Sequence, residues 1–195
     1  MRASSKLSLV FDMSVEDIPC RQIGKYCARI RRLPMAARLY LLRHGEAASP
    51  EGRDWKADHQ RPLTARGQSD IRRLAGRAME QGFAVQVALV SSAMRTQQTA
   101  EFFGLKSHRT VDALYNADVG DILQLLRALP QDCESAMVVA HNPGISWLAA
   151  SLLRPLNTPG FAPGTLLEMT FDAGWSDLAP QKARLVRRLD PPDYR

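Results

Sequence analysis

Residues 38–46 have the sequence RLYLLRHGE, in which four apolar residues run directly into a charged cluster. A short apolar run that ends in polar loop residues is typical of a buried strand of a parallel sheet. In open α/β sheets, ligands bind beyond the carboxyl ends of the strands. The sequence therefore predicts a first strand over residues 38–42 that delivers Arg43, His44 and Glu46 to a binding edge.

The rest of the chain alternates between strand-like and helix-like segments. Further strands are predicted over residues 85–90, 110–114, 136–140, 166–171 and 183–189, the last two antiparallel and joined through Gly174. Helices are predicted over residues 64–82, from Ser91 or Ser92 to 103, over 122–129, and from a cap at Asn142 to 153, whereas residues 47–60 are predicted to be loop. This alternation predicts an α/β fold, a three-layer α/β/α sandwich around a mostly parallel sheet.

The positive charge of the chain is concentrated near its start. Residues 1–34 hold seven Lys and Arg against three Asp and Glu, whereas residues 35–195 hold 19 against 17. We therefore predict a weakly structured extension over residues 1–34, followed by a single domain over residues 35–195. Because the domain carries little net charge and its basic residues do not alternate with aromatic ones, it is not expected to bind nucleic acid.

The cysteines and the apolar runs bear on the cellular compartment. Cys20, Cys27 and Cys133 are an odd number at spacings that fit neither a CxxC pair nor a zinc site, so reduced thiols are expected. No apolar run approaches the roughly 20 residues of a membrane-spanning helix, and residues 7–11 are too short a run for a signal peptide. The chain is therefore expected to act in the cytoplasm, away from membranes.

Two histidines and two arginines, whose side chains are costly to remove from water, are predicted at one edge of the sheet. They are Arg43, His44, Arg95 and His141. Arginine forks and helix N-termini both favour phosphate oxygens, which makes an anion the simplest explanation, with Ser92 and Asn142 at the helix starts as further binding residues. One neutral imidazole could attack phosphorus while the other, protonated, neutralises charge on the transferring oxygens.

Four short segments of the sequence form a recognisable set of motifs along the chain. They are RHGE at 43–46, RPLT at 61–64, SSAMRTQQTAE at 91–101 and HNP at 141–143. Together they resemble the signatures of the histidine phosphatase superfamily, also called the phosphoglycerate mutase-like family. The resemblance spans about residues 37–191, and because there is no large insertion before His141 the chain is most similar to the small SixA-type phosphohistidine phosphatases.

The resemblance implies both the fold and the chemistry. The fold would be phosphoglycerate mutase-like, and catalysis would proceed through a phosphoenzyme with His44 as the nucleophile. Arg43, Arg95 and His141 would surround the phosphate, and no cofactor would take part. The implied activity is removal of phosphate from phosphohistidine on a partner protein.

The sequence departs from the family at the proton donor. Many relatives carry a glutamate after the third strand, whereas this chain has Asn116 in the matching stretch. An alkoxide needs an acid to leave, but a phosphohistidine can carry a proton on its remote ring nitrogen and depart as neutral imidazole, whose conjugate acid has a pKa of roughly 6.5. The missing acid therefore favours a P–N substrate over a P–O ester. Asp118 and Glu46 are the alternative donors, although Glu46 is expected mainly to order its loop.

Other polar and aromatic residues receive structural interpretations. His59 and His108 lie in polar segments and are expected to be solvated. Asp54 and Asp58 lack the regular spacing of metal ligands, so no metal site is expected. The tryptophans expected in the core are Trp147 and Trp175.

Two rival functions stay open at this stage. A broad small-molecule phosphomonoesterase would use the same pocket on small phosphate esters. A phosphate-recognising adaptor would keep the pocket but lack turnover because of Asn116. Transfer of one phosphoryl group to His44 separates either enzyme from the adaptor.

Overall fold

The computed structural model describes residues 36–51, 54–153 and 160–194 of the chain. Its strands are β1 (Ala37–Arg43), β2 (Val87–Ser91), β3 (Arg109–Val111), β4 (Ser135–Ala140), β5 (Leu166–Phe171) and β6 (Arg184–Leu189). Its helices are α1 (Trp55–His59), α2 (Ala65–Glu80), α3 (Met94–Phe103), α4 (Val119–Arg127), α5 (Gly144–Leu152) and α6 (Pro191–Tyr194), with 3₁₀ turns at Asp112–Leu114 and Trp175–Asp177. The extension predicted over residues 1–34 lies outside the described residues.

The strands form one sheet in the order β3-β2-β4-β1-β5-β6. Strands β1 to β4 are parallel to one another, β5 runs antiparallel to β1, and β6 runs antiparallel to β5. Leu41 of β1 is paired with Val138 of β4 on one side and with Leu167 of β5 on the other. The predicted mostly parallel sheet with an antiparallel end is therefore confirmed.

Helices cover both faces of the sheet because β1 is apolar on both. Leu39 and Leu41 belong to one buried cluster, which includes residues of α4 and α5, whereas Tyr40 and Leu42 belong to a second cluster with residues of α2 and α3. Successive residues of a strand point to opposite faces, so an unbroken apolar run requires cover on both sides. The predicted three-layer α/β/α arrangement is confirmed.

Two predicted helix caps are wrong, and the polar side chains explain why. Helix α3 is capped at Ala93 and α5 at Pro143, neither with a side-chain hydrogen bond. The hydroxyls of Ser91 and Ser92 instead contact histidine rings, and the amide of Asn142 donates to a backbone carbonyl in the loop before β5. The residues expected to start helices thus contribute their polar groups to the edge of the sheet.

The stretch predicted as loop over residues 47–60 contains the short helix α1. Asp54 caps this helix, since its carboxylate accepts a hydrogen bond of 2.7 Å from the Ala57 N–H. The helix has no buried residue, so it carries no apolar periodicity from which it could have been predicted. The third strand is also shorter than predicted and ends at Val111, where a 3₁₀ turn begins.

The two tryptophans assigned to the core behave differently. Trp175 is fully buried and its indole N–H donates to the carbonyl of Cys133 at 2.7 Å, as an enclosed polar group requires. Trp147 is 59% exposed on α5, so its assignment to the core is wrong. Cys133 is a buried free thiol, whereas Cys20 and Cys27 lie outside the described residues. Within the described ranges, no helix is long and apolar enough to span a membrane.

Candidate active site

The topology of the sheet brings His44 and His141 together. Strands β1 and β4 are parallel neighbours in which Arg43 is paired with Ala140, so the residues that follow each strand emerge side by side. The two imidazole rings lie with their centroids 5.2 Å apart, and each residue is only 8% exposed. The proximity predicted from strand order is thus present in the structure.

The surroundings of His44 fix both its tautomer and its charge. Its Nδ1 lies 2.7 Å from the carbonyl oxygen of Gly45. Because a carbonyl only accepts hydrogen bonds, we assign the proton to Nδ1, which leaves the Nε2 lone pair free. Burial, together with the charges of Arg95 and Arg43, lowers the pKa of His44 to about 4 despite the hydrogen bond to Gly45. At neutral pH His44 therefore presents an uncharged nitrogen that can act as a nucleophile.

His141 is held by a serine hydroxyl. Its Nε2 lies 2.9 Å from Oγ of Ser91, while its Nδ1 is buried and has no hydrogen-bond partner. Burial, followed by the charges of His44 and Arg95, lowers the pKa of His141 to about 3. The protonated second histidine expected from the sequence therefore requires an anion beside it, since only a nearby negative charge would raise this pKa.

The two arginines are anchored in different ways. Nη1 of Arg95 donates to the carbonyl of Asp58 at 2.6 Å, and its Nη2 donates to Oδ2 of the same residue at 3.1 Å. Nη1 of Arg43 donates to the carbonyl of Phe161 at 2.5 Å. Burial and the charge of Arg95 lower the pKa of Arg43. Two cations are thus held close together in a partly desolvated site, an arrangement that an anion would stabilise.

Unpartnered hydrogen-bonding atoms mark where such an anion would bind. Among the described residues, five buried side-chain polar atoms lack a hydrogen-bond partner, and three of them belong to this site. These three are Nε of Arg43, Nε of Arg95 and Nδ1 of His141. Buried polar groups are rarely left unpaired, because each costs about 1–3 kcal/mol. These three nitrogens lie at one edge of the sheet and could form hydrogen bonds with the oxygens of a phosphate.

The signature segments also hold one another in place. The backbone N–H of Gly45 donates to the hydroxyl of Thr99 at 3.0 Å, and the N–H of Leu63 donates to the side chain of Gln98 at 2.7 Å. Both Gln98 and Thr99 lie on α3, which also carries Arg95. The polar residues of α3 therefore fix the loop after β1 relative to the arginine.

The remaining predicted site residues contact neighbouring protein groups. Ser92 Oγ lies 3.1 Å from Nε2 of His59, and Nδ2 of Asn142 donates to the carbonyl of Phe161 at 3.1 Å. The two alternative proton donors take part in helix starts. Glu46 accepts a hydrogen bond of 2.9 Å from the Thr64 hydroxyl, which caps α2, and the exposed Asp118 caps α4 reciprocally with Asp121.

Three site residues were missed in the sequence: Asp58, His59 and Tyr115. Tyr115 donates from its hydroxyl to Oδ2 of Asp58 at 2.7 Å, and its ring lies 5.8 Å from that of His141 and 5.0 Å from that of His59. The expectation that His59 is simply solvated is therefore wrong, whereas His108 is exposed as expected. Their local sequence carries no signal of these contacts, which depend on the tertiary fold.

Comparison with known proteins places these features in a family. Residues 39–143 match the family described as histidine phosphatase superfamily (branch 1). Phosphohistidine phosphatase SixA of Escherichia coli is 30% identical over 141 residues, which cover 69% of this chain and 85% of that protein.

Solved structures agree with this match. The chain is 26% identical to the protein histidine phosphatase SixA complexed with tungstate, at a TM-score of 0.69, with 81% of this chain and 99% of that one covered. A structure described as a SixA phosphohistidine phosphatase of Nakamurella multipartitia gives 30% identity and a TM-score of 0.72, with 80% and 96% covered.

Proposed function

Since the chain belongs to the histidine phosphatase superfamily and is a phosphatase, we propose that it works through a phosphorylated His44 and removes phosphate from phosphohistidine on a partner protein. The observation that carries the proposal is the 2.7 Å contact between Nδ1 of His44 and the carbonyl oxygen of Gly45. Because that contact assigns the ring proton to Nδ1, Nε2 is the neutral nitrogen available as the nucleophile.

The first step is the transfer of the phosphoryl group. Nε2 of His44 forms a bond to phosphorus as the P–N bond of the substrate breaks. The electron pair of that bond stays on the substrate's ring, which carries a proton on its remote nitrogen and therefore departs as neutral imidazole. The unpaired Nε–H groups of Arg43 and Arg95 would donate to the transferring oxygens. A dianion beside His141 would raise its pKa, and the protonated ring would then add a further charged donor.

The second step restores the enzyme. Water forms a bond to phosphorus as the bond to Nε2 of His44 breaks, and the electron pair returns to Nε2. Inorganic phosphate leaves, and the imidazole regains the neutral tautomer with which it began. Because no metal or cofactor is needed to balance either step, this chain's own side chains suffice for the proposed chemistry.

The leaving group is the argument for phosphohistidine as the substrate. Asn116 cannot supply a proton, and the carboxylates of Glu46 and Asp118 accept hydrogen bonds at helix starts. A phosphohistidine that carries a proton on its remote ring nitrogen can leave as neutral imidazole without an acid from the enzyme, because the conjugate acid of imidazole has a pKa of roughly 6.5. Two of the similar proteins are named as phosphohistidine phosphatases. Their names state the substrate class that we propose for this chain, which supports the proposal.

Phosphoryl transfer tests the proposal directly. A protein carrying labelled phosphohistidine should lose its label to the wild-type enzyme, with transient label on His44, and the His44→Ala variant should take up none. In parallel, kcat/KM is measured with p-nitrophenyl phosphate and with an alkyl phosphate. Equal or faster turnover of the alkyl ester would instead make the protein a broad phosphomonoesterase. Phosphate binding without any phosphoenzyme would make it an adaptor.

A further inference from the structure

Asp58 determines which side of the Arg95 guanidinium is available. A guanidinium has five N–H bonds, and those at its outer end and along its Nε side form two separate forks. Asp58 occupies the outer end, because its carbonyl accepts from Nη1 and its carboxylate accepts from Nη2. The Nε side is left without a partner although it is buried.

We propose that Asp58 is a positioning residue that holds Arg95 by its outer nitrogens, so that the Nε side is presented to the phosphoryl group. The inference rests on the proposed function of the site. Phosphate is bound well by a fork of two parallel N–H groups, but only when the guanidinium plane is fixed. Arg95 is only 5% exposed, so protein groups rather than water hold its outer nitrogens.

The carboxylate of Asp58 is itself held on both oxygens. Oδ1 accepts a hydrogen bond of 2.9 Å from Arg61, and Oδ2 accepts one of 2.7 Å from the hydroxyl of Tyr115. Tyr115 also contacts the ring of His141. The residue that orients Arg95 is therefore tied to both the RPLT segment and the second histidine.

The same contacts explain why a carboxylate is tolerated near a phosphate site. Burial alone would raise the pKa of Asp58, but hydrogen bonds from Tyr115 and Arg61 and the charge of Arg95 outweigh it and lower the pKa to about 2. The negative charge is spread over hydrogen bonds to two cations and a phenol. Because Asp58 stays ionised at neutral pH, it is unsuited to the role of the missing acid.

The inhibition constant of tungstate provides the readout, since it reports oxyanion affinity separately from kcat. We expect Asp58→Ala to weaken tungstate inhibition and to lower kcat/KM, each by about 10-fold or more, as expected for loss of a hydrogen bond to a charged group. Asp58→Asn should restore most of both, because an amide oxygen can still accept from Nη2 of Arg95.

A matched control separates positioning from the folding of α1. Asp54→Ala removes the side-chain cap of the same short helix, which accepts from Ala57, and keeps the backbone carbonyl that accepts from the N–H of Asp58. It should leave the tungstate inhibition constant within about 2-fold of wild type, in the range of ordinary surface substitutions. If Asp54→Ala reproduced the effect of Asp58→Ala, the inference would be wrong, because loosening α1 would then be the cause.

A double-mutant cycle makes the test specific to Arg95. In an Arg95→Ala background, Asp58→Ala should add little further loss, whereas independent effects would add. Tungstate binding by the wild type is also measured by calorimetry. Binding without turnover would refute the proposed function and leave the positioning role intact. Normal turnover with unchanged inhibition in Asp58→Ala would refute the positioning role alone.

Discussion

The backbone conformation at residue 116 favours an asparagine there. Asn116 has a φ of 58°, in the left-handed region that asparagine tolerates better than most side chains. Many relatives have a glutamate that serves as the proton donor where this chain has Asn116. The structure adds that a glutamate at this position would be strained, so the loss of the acid and the shape of the turn are linked.

We therefore expect two effects of Asn116→Glu. The free energy of unfolding should fall by about 1 kcal/mol, the cost of a left-handed conformation for an ordinary residue, as measured in urea. If the new carboxyl reaches the leaving group, kcat/KM for an alkyl phosphate should rise relative to that for phosphohistidine. Asn116→Gly is the matched control, because it relieves strain and supplies no acid. An equal rise with glycine would contradict the acid argument.

The site residues at the strand ends were easier to predict than Asp58 and Tyr115, which hold other site residues in place. Arg43 ends β1, and His44 and His141 directly follow β1 and β4, whose apolar runs are plain in the sequence and whose parallel pairing brings these residues together. Asp58 lies on the short helix α1 and Tyr115 follows a 3₁₀ turn, and nothing in their local sequence specifies the distance that they span in the fold. Such contacts depend on tertiary packing, which single-sequence patterns do not encode.

At the level of elements, the start of α5 is packed against the loop before α4. An added Cβ on Gly144 would overlap the carbonyl oxygen of Ala117. Only glycine permits this approach, and it fixes the position of His141, three residues earlier in the chain. The packing of one helix end thereby sets the place of the second imidazole.

Gly144→Ala is expected to push these two segments apart. We predict a loss of about 1–3 kcal/mol in the free energy of unfolding, as for other overpacked sites, together with a lower kcat/KM. Gly76→Ala in the middle of α2 is the control, since a Cβ there meets no atom within 4 Å. That variant should be more stable by about 0.5–1 kcal/mol. Equal stability of the two variants would contradict the packing argument.

Helix α2 was predicted from the sequence, whereas helix α1 was not. Helix α2 buries Ile71 and Leu74 at helical spacing, whereas α1 buries nothing. The caps of α3 and α5 were predicted wrongly for a different reason. Ser91, Ser92 and Asn142 are good capping residues, but their side chains make hydrogen bonds within the site instead. A hydroxyl or amide near a helix start can serve either purpose, and only the fold decides between them.

For the whole molecule, the buried histidines link stability to pH. The pKa values of His44 and His141 are about 4 and about 3, against roughly 6.5 for an unfolded histidine. Between about pH 6.5 and 4 the unfolded chain therefore binds more protons than the folded one, and the free energy of unfolding falls as the pH is lowered.

This pH dependence can be measured by urea unfolding at about pH 7, 6 and 5. Each histidine is expected to contribute a slope approaching about 1.4 kcal/mol per pH unit in that window. A variant with His44→Gln and His141→Gln should show a shallower slope, whereas His108→Gln, which alters an exposed histidine, should not. The same slope in all three proteins would contradict the burial of neutral imidazoles. The lowered pKa of Asp58 matters only below about pH 4.

The ends of the sheet have a further consequence for how the protein behaves at high concentration. Outermost strands offer unpaired backbone groups to which another chain could add, and long, uncharged ones promote aggregation. Here β3 has only three residues, while β6 carries Arg184, Arg187 and Arg188. The shortness of β3 at one end of the sheet and the charged side chains of β6 at the other disfavour growth of the sheet from molecule to molecule.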